Sequence, residues 1–552
     1  MDILSNFLPR INFDSYKDFK ENFRVNVPEN FDFARDVVDE YAKITPDKRA
    51  IVYCNDEGEE ETFTFSDVSK MSKQAAAYFT ELGIKSGDRV IVLLRRRYEY
   101  WICAVALHRI GAVVVPASIQ LTTKDIAYRV NTAKAKMVIA INDEYVLEQL
   151  SCLKEKCSGL EDIVIIGEQT PDTYHDFNKE YQNYGLYEEP AKLKNSDEMI
   201  IYFTSGTSGM PKMAVHNRTY PISHIITAKY MQCVQDDGLH LTQADSGWAK
   251  FGWGNIYGQW IAGSAVLAYD PIRFSAKNML EVLAKHKPTS LCVPPTMYRF
   301  LLHEGLKKEH VESINWFSTA GEALSGEVNK SFYEITGKYI HEGYGQSEGT
   351  PITCGFQWLD IRPSSMGKPS PLYKTAIVNP DGTECRQGFM GEVVIYTSNK
   401  GQLGLLDYYY DGENEKKICP IKNGVYHTGD TAYEDEDGYY WYIGRSDDMI
   451  KCSGYRIGPF EIESILNTHP AVKESAIVGC PDEIRGQIVC AVIKLCDGYE
   501  GSAELTKELQ KYVQKNTAPY KYPRVIKYVD ELPKTTSGKI IRNKAKEMLD
   551  NK

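Results

Sequence analysis

The chain has 552 residues, 64 of them basic and 75 acidic, and its formal charge is −11. This length is enough for three or four domains and excludes a single small binding module. Charged residues make up 25% and the mean hydropathy is −0.39, which is typical of a globular protein. The acidic balance argues against nucleic acid as a partner.

The cysteines and the apolar segments bear on location. The 13 cysteines include no C-x-x-C pair and no zinc-finger spacing, so we expect free thiols in a reducing compartment and no metal–cysteine cluster. Residues 1–19 mix charges into every apolar run, unlike a signal peptide. The longest apolar stretch, residues 101–116, is interrupted by His108 and Arg109, unlike a membrane span. A cytoplasmic location is therefore expected.

Between about residues 60 and 345, short runs rich in β-branched residues alternate with longer segments of helical period. The predicted strands are residues 89–94, 112–115, 137–141, 163–166, 199–203, 265–269, 290–293 and 316–319. The predicted helices are residues 98–109, 123–132, 276–286 and 326–336. This alternation predicts an α/β fold with parallel sheets covered by helices. In such folds the site lies at the carboxyl ends of the strands.

The pattern changes beyond about residue 360. Strand-like residues 391–397 and 438–443, with Asp-Gly turns, predict a small β-rich subdomain. After a polar stretch at 445–451 comes a compact segment with predicted helices at 459–468 and 504–515 and predicted strands at 474–478 and 488–494. We place a domain boundary at 445–448. Residues 507–552 hold 12 Lys or Arg against 5 Asp or Glu, a bias that attracts a polyanionic ligand.

A loop rich in glycine and hydroxyl groups follows the predicted strand at 199–203. Its sequence is Thr204-Ser205-Gly206-Thr207-Ser208-Gly209-Met210-Pro211-Lys212. Glycines let backbone N–H groups turn toward one point, the hydroxyls add donors and the lysine adds positive charge, which suits a di- or triphosphate. The loop is not a Walker A motif, because Met210 and Pro211 separate Gly209 from the lysine. A flexible polar turn is the alternative interpretation.

A second candidate segment follows the strand-like residues 339–341. Its sequence is Tyr344-Gly345-Gln346-Ser347-Glu348. The ring could stack on a purine, and the hydroxyl and carboxylate could hold a phosphate oxygen and Mg²⁺, which takes hard oxygen ligands. The alternative is a tyrosine packed at a turn, because the chain has 37 tyrosines.

Three further segments complete a set of five. They are residues 426–430, residues 444–456 and residues 533–539. In this order and at these separations, the five segments resemble the signature motifs of the adenylate-forming superfamily, which contains acyl-CoA synthetases, peptide-synthetase adenylation domains and firefly-type luciferases. The chain is most similar to the medium-chain acyl-CoA synthetase group, through residues 245–248, 344–348, 453–459, 481–486 and 518–524. Two residues depart from the group: Ser347 stands where Thr is usual, and Gln514 stands where relatives offer CoA a lysine.

The resemblance implies a complete architecture and reaction. Residues 1–444 would form an AMP-binding domain of two helix-covered, mostly parallel sheets, with the β-rich subdomain at about 360–444. Residues 445–552 would form a small mobile α+β domain with its hinge near Asp447. The activity would be that of an acid–thiol ligase: carboxylate and MgATP give acyl-AMP and pyrophosphate, then CoA displaces AMP. Lys539 would neutralise the charge that develops at the α-phosphate.

The same resemblance implies the roles of the other site residues. Tyr344 would stack on adenine, Asp430 would accept hydrogen bonds from both ribose hydroxyls with help from Arg445, and Thr204 and Glu348 would bind Mg²⁺. The full ATP and AMP set is Thr204, Ser205, Gly206, Thr207, Ser208, Gly209, Met210, Pro211, Lys212, Gly321, Glu322, Ala323, Glu342, Gly343, Tyr344, Gly345, Gln346, Ser347, Asp430, Arg445 and Arg456. The CoA set is Gln120, Ser453, Gly454, Tyr455, Arg485, Tyr522, Pro523 and Arg524.

Two residues would set the size of the acid. Acetate-restricted relatives have a bulky aromatic residue where this chain has Gly345, so the glycine leaves room for a longer or branched acyl group. Trp253 would shorten the pocket, and core packing is its alternative role. We therefore expect short to medium or branched acids as substrates.

Two other functions stay open at this stage: loading of a carrier protein, and luciferase-like oxygenation of an acyl-adenylate. Both are disfavoured, since no carrier segment follows residue 552 and the CoA-type segments are present. The expected partners are ATP, CoA and a carboxylic acid. The sequence leaves open the acid, the pathway and whether the protein is a monomer or a homodimer.

Overall fold

A computed structural model describes residues 3–188, 192–204, 211–398, 401–452, 455–482, 485–534 and 540–550, with the side chains of Arg456 and Asp550 outside the description. Contacts divide the chain into two compact units. The first comprises Met1–Lys374 and Tyr396–Tyr426, and the second Thr375–Ile395 and His427–Lys552. The domain boundary at 445–448 and the hinge near Asp447 stay predictions.

The described residues form 28 strands, which we number in chain order. They are β1 Arg49–Asn55, β2 Glu60–Thr64, β3 Arg89–Leu93, β4 Val113–Pro116, β5 Met137–Ile141, β6 Asp162–Ile166, β7 His175–Asp176, β8 Glu198–Thr204, β9 Lys212–Asn217, β10 Leu239–Thr242, β11 Ala265–Asp270, β12 Ser290–Cys292, β13 Trp316–Ala320, β14 Ile340–Tyr344, β15 Thr353–Cys354, β16 Lys368–Pro369, β17 Lys374–Val378, β18 Gly391–Tyr396, β19 Tyr408–Asp411, β20 Lys416–Ile418, β21 Ile421–Lys422, β22 Val425–Glu434, β23 Tyr440–Arg445, β24 Ile450–Cys452, β25 Tyr455–Ile457, β26 Val472–Asp482, β27 Gly486–Leu495 and β28 Val525–Tyr528.

The helices lie before, between and after these strands. The α-helices are Leu4–Phe7, Tyr16–Asn22, Glu40–Ile44, Phe65–Glu81, Glu99–Ile110, Thr123–Ala133, Glu144–Leu150, Leu153–Lys156, Phe177–Glu180, Tyr220–Ser223, Ala249–Asn255, Tyr257–Ile261, Ala276–His286, Pro295–His303, Gly326–Thr336, Pro459–Leu466, Ala503–Asn516 and Arg542–Asp550. Ala34–Asp39 and Ile226–Met231 are π-helical, and Tyr181–Asn183, Lys308–Val311 and Pro519–Lys521 are 3₁₀-helical.

The first unit contains two nine-stranded sheets. One has the order β16-β15-β14-β13-β12-β10-β11-β1-β2 and the other β20-β19-β9-β8-β4-β3-β5-β6-β7. The central strands of both are parallel, and antiparallel pairs lie at the edges. Strands such as β5 are buried along their whole length because helices cover both faces. The predicted α/β fold with two helix-covered, mostly parallel sheets is confirmed.

Local signals explain why two helices match their predicted bounds. Helix Ala276–His286 begins after Ser275, whose hydroxyl accepts a hydrogen bond from the Asn278 backbone N–H. Helix Gly326–Thr336 begins after Ser325 and ends at Gly337, whose φ of 72° is a left-handed conformation that glycine adopts without strain. The first helix therefore carries its start signal in the sequence, and the second carries both its start and its stop signal.

The second unit contains two smaller sheets. Strands β17, β18 and β22 follow one another in the first, and β23 pairs with β22. The second has the order β25-β24-β27-β26, with β28 beside β27. The helix Pro459–Leu466 buries Ile462 and Leu466 in the core of this sheet. The predicted β-rich and α+β segments are both present.

Two general features complete the description. All 13 cysteines lie within the described residues as free thiols. None of the described helices has both the length and the hydrophobicity needed to span a bilayer.

Candidate functional site

The predicted phosphate loop joins two paired strands of the first unit. Thr204, the last residue of β8, lies opposite Lys212, the first residue of β9. The backbone carbonyl of Pro211 accepts a hydrogen bond of 3.2 Å from the Tyr128 hydroxyl. The six loop residues between Thr204 and Pro211 lie outside the described part of the chain: Ser205, Gly206, Thr207, Ser208, Gly209 and Met210. The structure thus places both ends of the loop at the carboxyl end of a buried parallel strand.

Glu348 lies close to the end of this loop. The Tyr409 hydroxyl donates a hydrogen bond of 2.9 Å to Glu348 Oε1. The Lys212 ammonium lies 5.8 Å from the centre of the Tyr409 ring. Tyr409 therefore connects the predicted metal-binding carboxylate to the lysine that closes the phosphate loop.

The residues before Glu348 are held from two directions. The Tyr426 hydroxyl donates to Gln346 Oε1 at 2.9 Å. His216 is buried, and burial lowers its pKa to about 4, so the ring is neutral and its Nε2–H donates to the Ser347 carbonyl at 2.8 Å. These contacts fix the backbone of the segment that follows Tyr344.

The predicted adenine residues lie on β14 and directly after the neighbouring strand β13. Ala320, at the end of β13, pairs with Gly343 in β14, so Gly321, Glu322 and Ala323 begin beside Tyr344. Strand β14 runs to Tyr344, three residues beyond the predicted end at residue 341. Gly321 has a φ of 97°, a turn conformation that favours glycine.

Glu342 is buried on the same strand. Its Oε2 accepts a hydrogen bond of 3.1 Å from the Leu324 backbone N–H. Burial nevertheless raises the pKa of Glu342 to about 8, because desolvation disfavours the charged form. A carboxyl that is protonated at neutral pH can donate a hydrogen bond as well as accept one.

The two predicted acyl-pocket residues touch each other. A Cβ atom on Gly345 would lie 2.5 Å from Cη2 of Trp253, so the indole fills the space beside the glycine. Trp253 is 6% exposed and lies on helix Ala249–Asn255. A Cβ on the neighbouring Gly252 would lie 2.4 Å from the Tyr202 hydroxyl. The close approach of this helix thus depends on a glycine beside the tryptophan.

The predicted ribose residues lie together in the second unit. Asp430 pairs with Arg445 across β22 and β23, and Arg445 Nη1 lies 3.4 Å from Asp430 Oδ1. The Tyr442 hydroxyl also donates to this oxygen at 3.4 Å. Arg445 Nε lies 3.4 Å from Asp447 Oδ1, so the arginine links the ribose carboxylate to the predicted hinge residue.

Several predicted CoA residues also lie in the second unit, where each has described contacts. Tyr455 stacks on Tyr520 with ring centres 4.2 Å apart. Arg524 Nη1 donates to the Tyr522 hydroxyl at 2.9 Å, and the Pro523 carbonyl accepts from Gln510. The Arg485 backbone N–H donates to Asp482, and its neighbour Gly486 pairs with Cys452.

Some predicted residues cannot be placed with the others. Lys539, Ser453 and Gly454 lie outside the described residues, and Arg456 is described only as a backbone position opposite Lys451. Gln120 belongs to the first unit, where its backbone N–H donates to the Ser118 hydroxyl at 3.3 Å. Their roles stay predictions.

Sequence reasoning missed Tyr409 and His216, and it included Tyr426 in the segment 426–430 without giving it a role. Tyr409 lies 61 residues after Glu348 in a strand that pairs with β9, and no local motif marks it. The run Tyr408-Tyr409-Tyr410 consists of a residue type that is enriched in strands, which is a weak signal.

Known proteins resemble the chain over nearly its whole length. Residues 38–402 match the sequence model of the AMP-binding enzyme family, and residues 461–539 match the AMP-binding enzyme C-terminal domain. The mitochondrial acyl-coenzyme A synthetase ACSM3 of Homo sapiens is 36% identical over 546 residues, covering 97% of this chain and 92% of that protein. The Mus musculus protein of the same name is 37% identical over 547 residues, covering 97% and 93%.

Solved structures agree with this assignment. An acyl-CoA synthetase from Brucella canis is 30% identical with a TM-score of 0.73, covering 97% of this chain and 99% of that one. The anthranilate CoA ligase AuaEII, solved with anthranoyl-AMP, is 27% identical with a TM-score of 0.85, covering 95% and 98%. The chain therefore belongs to the AMP-binding enzyme family and is an AMP-forming acyl-CoA synthetase.

Proposed function

We propose that this acyl-CoA synthetase activates short, medium-length or branched carboxylic acids. The observation that carries the proposal is the contact between Trp253 and Gly345. The glycine lies next to Tyr344, the predicted adenine-stacking residue, so the indole fills space beside the predicted adenylate site. A wall of this size favours acids of limited length over long fatty acids.

The residues around Glu348 support the use of Mg²⁺ with ATP. Its carboxylate is oriented by Tyr409, and Thr204 offers a hydroxyl at the end of β8. Both are hard oxygen ligands of the kind that Mg²⁺ takes. No cluster of three or more His, Cys, Asp or Glu occurs in the part of the chain that the structure describes, so the ATP phosphates would supply further ligands. When bound, the ion neutralises phosphate charge.

In the first half-reaction the acid carboxylate attacks the α-phosphorus and pyrophosphate leaves, so two anions must meet. Charge neutralisation is the main requirement, and we assign it to Lys539. Asp430 would hold the ribose hydroxyls through its two oxygens, with Arg445 3.4 Å away to fix the carboxylate. These residues bind and orient the nucleotide, and none of them needs to transfer a proton.

In the second half-reaction the CoA thiol attacks the acyl carbonyl and AMP leaves. We propose that rotation about Asp447 removes Lys539 and brings the CoA residues to the adenylate. Arg485 and Arg524 carry the positive charge that the phosphates of CoA require. The stacked and exposed rings of Tyr455 and Tyr520 would offer a flat apolar surface to the pantetheine arm.

A substrate panel tests the proposal. CoA-dependent AMP formation would be measured with acetate, propionate, butyrate, 2-methylbutyrate, hexanoate, octanoate and palmitate. The highest kcat/KM for palmitate would contradict the proposed acid class.

Lys539→Ala should slow acyl-AMP formation more than about 100-fold while ready-made acyl-AMP still reacts with CoA. The matched control is Lys511→Ala, because Lys511 is an exposed lysine of the same basic segment. Equal loss of both steps in Lys539→Ala would reject the assignment of Lys539.

The location is a separate proposal. Thirteen free thiols fit a reducing compartment such as the cytoplasm. The curated relatives named above are mitochondrial proteins. Fractionation of cells that express the full chain would decide between the two compartments.

A further inference from the structure

The loop that carries Lys539 has a firmly bonded base. Lys534 and Ile540 form an antiparallel bridge, and the Ile541 backbone N–H donates to the Pro533 carbonyl at 2.8 Å. The Lys534 ammonium also pairs with Glu474 at 2.7 Å. The two ends of the loop are therefore held side by side in the second unit.

Arg542 begins the helix that follows this base, three residues after Lys539. Its guanidinium bonds both oxygens of Glu463, with Nη2 2.9 Å from Oε2. Nη1 also donates to the Ile477 carbonyl at 3.1 Å. Glu463 is 6% exposed and accepts a further hydrogen bond from the Ile477 backbone N–H at 2.8 Å. A planar guanidinium held at so many points has little freedom to move.

The same guanidinium reaches the segment of the predicted hinge. Arg542 Nε donates to Asp448 Oδ2 at 3.1 Å. Asp448 directly follows Asp447, and its backbone N–H donates to the Arg445 carbonyl at 3.2 Å. Arg542 bonds both Asp448 and Glu463, so the first residue beyond the hinge and the start of the last helix share one charged cluster.

We propose that Arg542 is a positioning residue that makes the post-hinge segment and the base of the Lys539 loop one rigid body. The inference rests on the proposed roles of Lys539 and Asp447. Rotation about the hinge then moves Asp448 together with Lys534 and Ile540, the described residues on either side of the segment that contains Lys539. The first half-reaction depends on this rigidity, because a displacement of about 1 Å at a charge-stabilising group costs roughly 100-fold in rate. The second half-reaction does not use Lys539.

Two variants test the proposal in the full-length enzyme. Arg542→Lys keeps the charge and loses the planar fork, and Asp448→Asn removes the charge on the hinge side. Each should lower ATP–pyrophosphate exchange between about tenfold and 100-fold, while the rate of thioester formation from supplied acyl-AMP changes less than about twofold. Lys494→Gln, which breaks the ion pair with Glu531 in the same unit, is the control and should change neither step.

The outcomes separate this inference from the proposed function. If both half-reactions fall together with the melting temperature, or if neither changes, Arg542 has only a structural role and the inference is wrong. If Lys539→Ala shows the split and Arg542→Lys does not, the proposed function survives and the coupling is rejected. If Lys539→Ala itself shows no split, the proposed function fails first.

Discussion

Trp253 occupies the space beside Gly345: the nearest indole carbon would lie 2.5 Å from a Cβ atom at position 345. Such a distance is shorter than carbon–carbon van der Waals contact, so any side chain at 345 requires the indole to move. The glycine therefore gives room to a tryptophan of its own chain. The depth of the proposed acyl pocket is set by this pair together, and Trp253 is the residue that limits it.

Trp253→Ala should move the substrate optimum to longer acids. Each methylene newly accommodated is worth about 0.8 kcal/mol, or roughly a fourfold gain in kcat/KM per carbon. The lost packing would lower the free energy of unfolding by about 3–5 kcal/mol, so rates must be expressed per folded enzyme. The measurement is kcat/KM across the acids from acetate to octanoate. An unchanged profile would remove Trp253 from the pocket.

Trp358→Ala is the matched control for this experiment. Trp358 packs against Phe13 and Phe19, so its loss also creates a cavity. It should lower stability and leave the ratio of octanoate to acetate activity as in the wild type. A shift in that ratio would show that general loosening, and not pocket depth, changes the specificity.

Gly345→Ala adds a test of the contact itself. In the wild-type background the new methyl group collides with Trp253 and should lower both stability and activity. In the Trp253→Ala background the methyl group meets less crowding on the indole side, so its effect should be smaller. A double-mutant cycle on the melting temperature measures this coupling. Additive effects would mean that the two residues do not constrain each other.

The sequence predicted the elements whose signals are local. Strand β5 and helix Ala276–His286 match their predicted bounds, since continuous β-branched burial and a serine cap mark them in the chain. The strand pair Tyr408–Asp411 and Lys416–Ile418 was not predicted, although it extends the second large sheet beside β9. The strand Tyr408–Asp411 pairs with β9, which lies almost 200 residues earlier in the chain. Local sequence patterns cannot predict such a distant pairing.

The site shows the same division between local and distant information. The motifs give the residues that resemble a family pattern, such as Thr204, Lys212 and Glu348. In the first unit the last two both lie near Tyr409. The supporting contacts could not be predicted, because Tyr409 and Tyr426 contact the motif from 61 and 80 residues away. Contact between Gly345 and Trp253 is equally non-local.

Tyr409→Phe should weaken the proposed use of Mg²⁺. The variant removes the hydroxyl that donates 2.9 Å to Glu348 and keeps the ring beside Lys212. Loss of one hydrogen bond to a charged group costs about 1.5–3 kcal/mol, which corresponds to roughly a tenfold to 100-fold rise in the Mg²⁺ concentration for half-maximal pyrophosphate exchange. Tyr298→Phe, whose hydroxyl donates to the Ser318 carbonyl in the core, is the control. Equal Mg²⁺ dependence in wild type and Tyr409→Phe would contradict the role of Tyr409.

Asp447→Pro tests the hinge. Proline fixes φ near −65°, which restricts rotation at this position. We expect pyrophosphate exchange to stay near the wild-type rate while thioester formation falls at least about tenfold, because only the second step requires the rotation. Asp447→Ala is the matched control, because it removes the same side chain without fixing φ. A normal rate of thioester formation in Asp447→Pro would place the hinge elsewhere.

Glu342 predicts a pH dependence of stability in the absence of nucleotide. Its folded pKa of about 8 lies above the ordinary value of 4.5, because burial disfavours the carboxylate. The folded state then binds more protons than the unfolded state between these two values, so the stability from this group is full below pH 4.5 and is lost as pH rises through 8. Glu342→Gln keeps the shape and cannot ionise. The melting temperature of the wild type should therefore fall more steeply than that of Glu342→Gln over this range, and parallel curves would show that Glu342 does not titrate there.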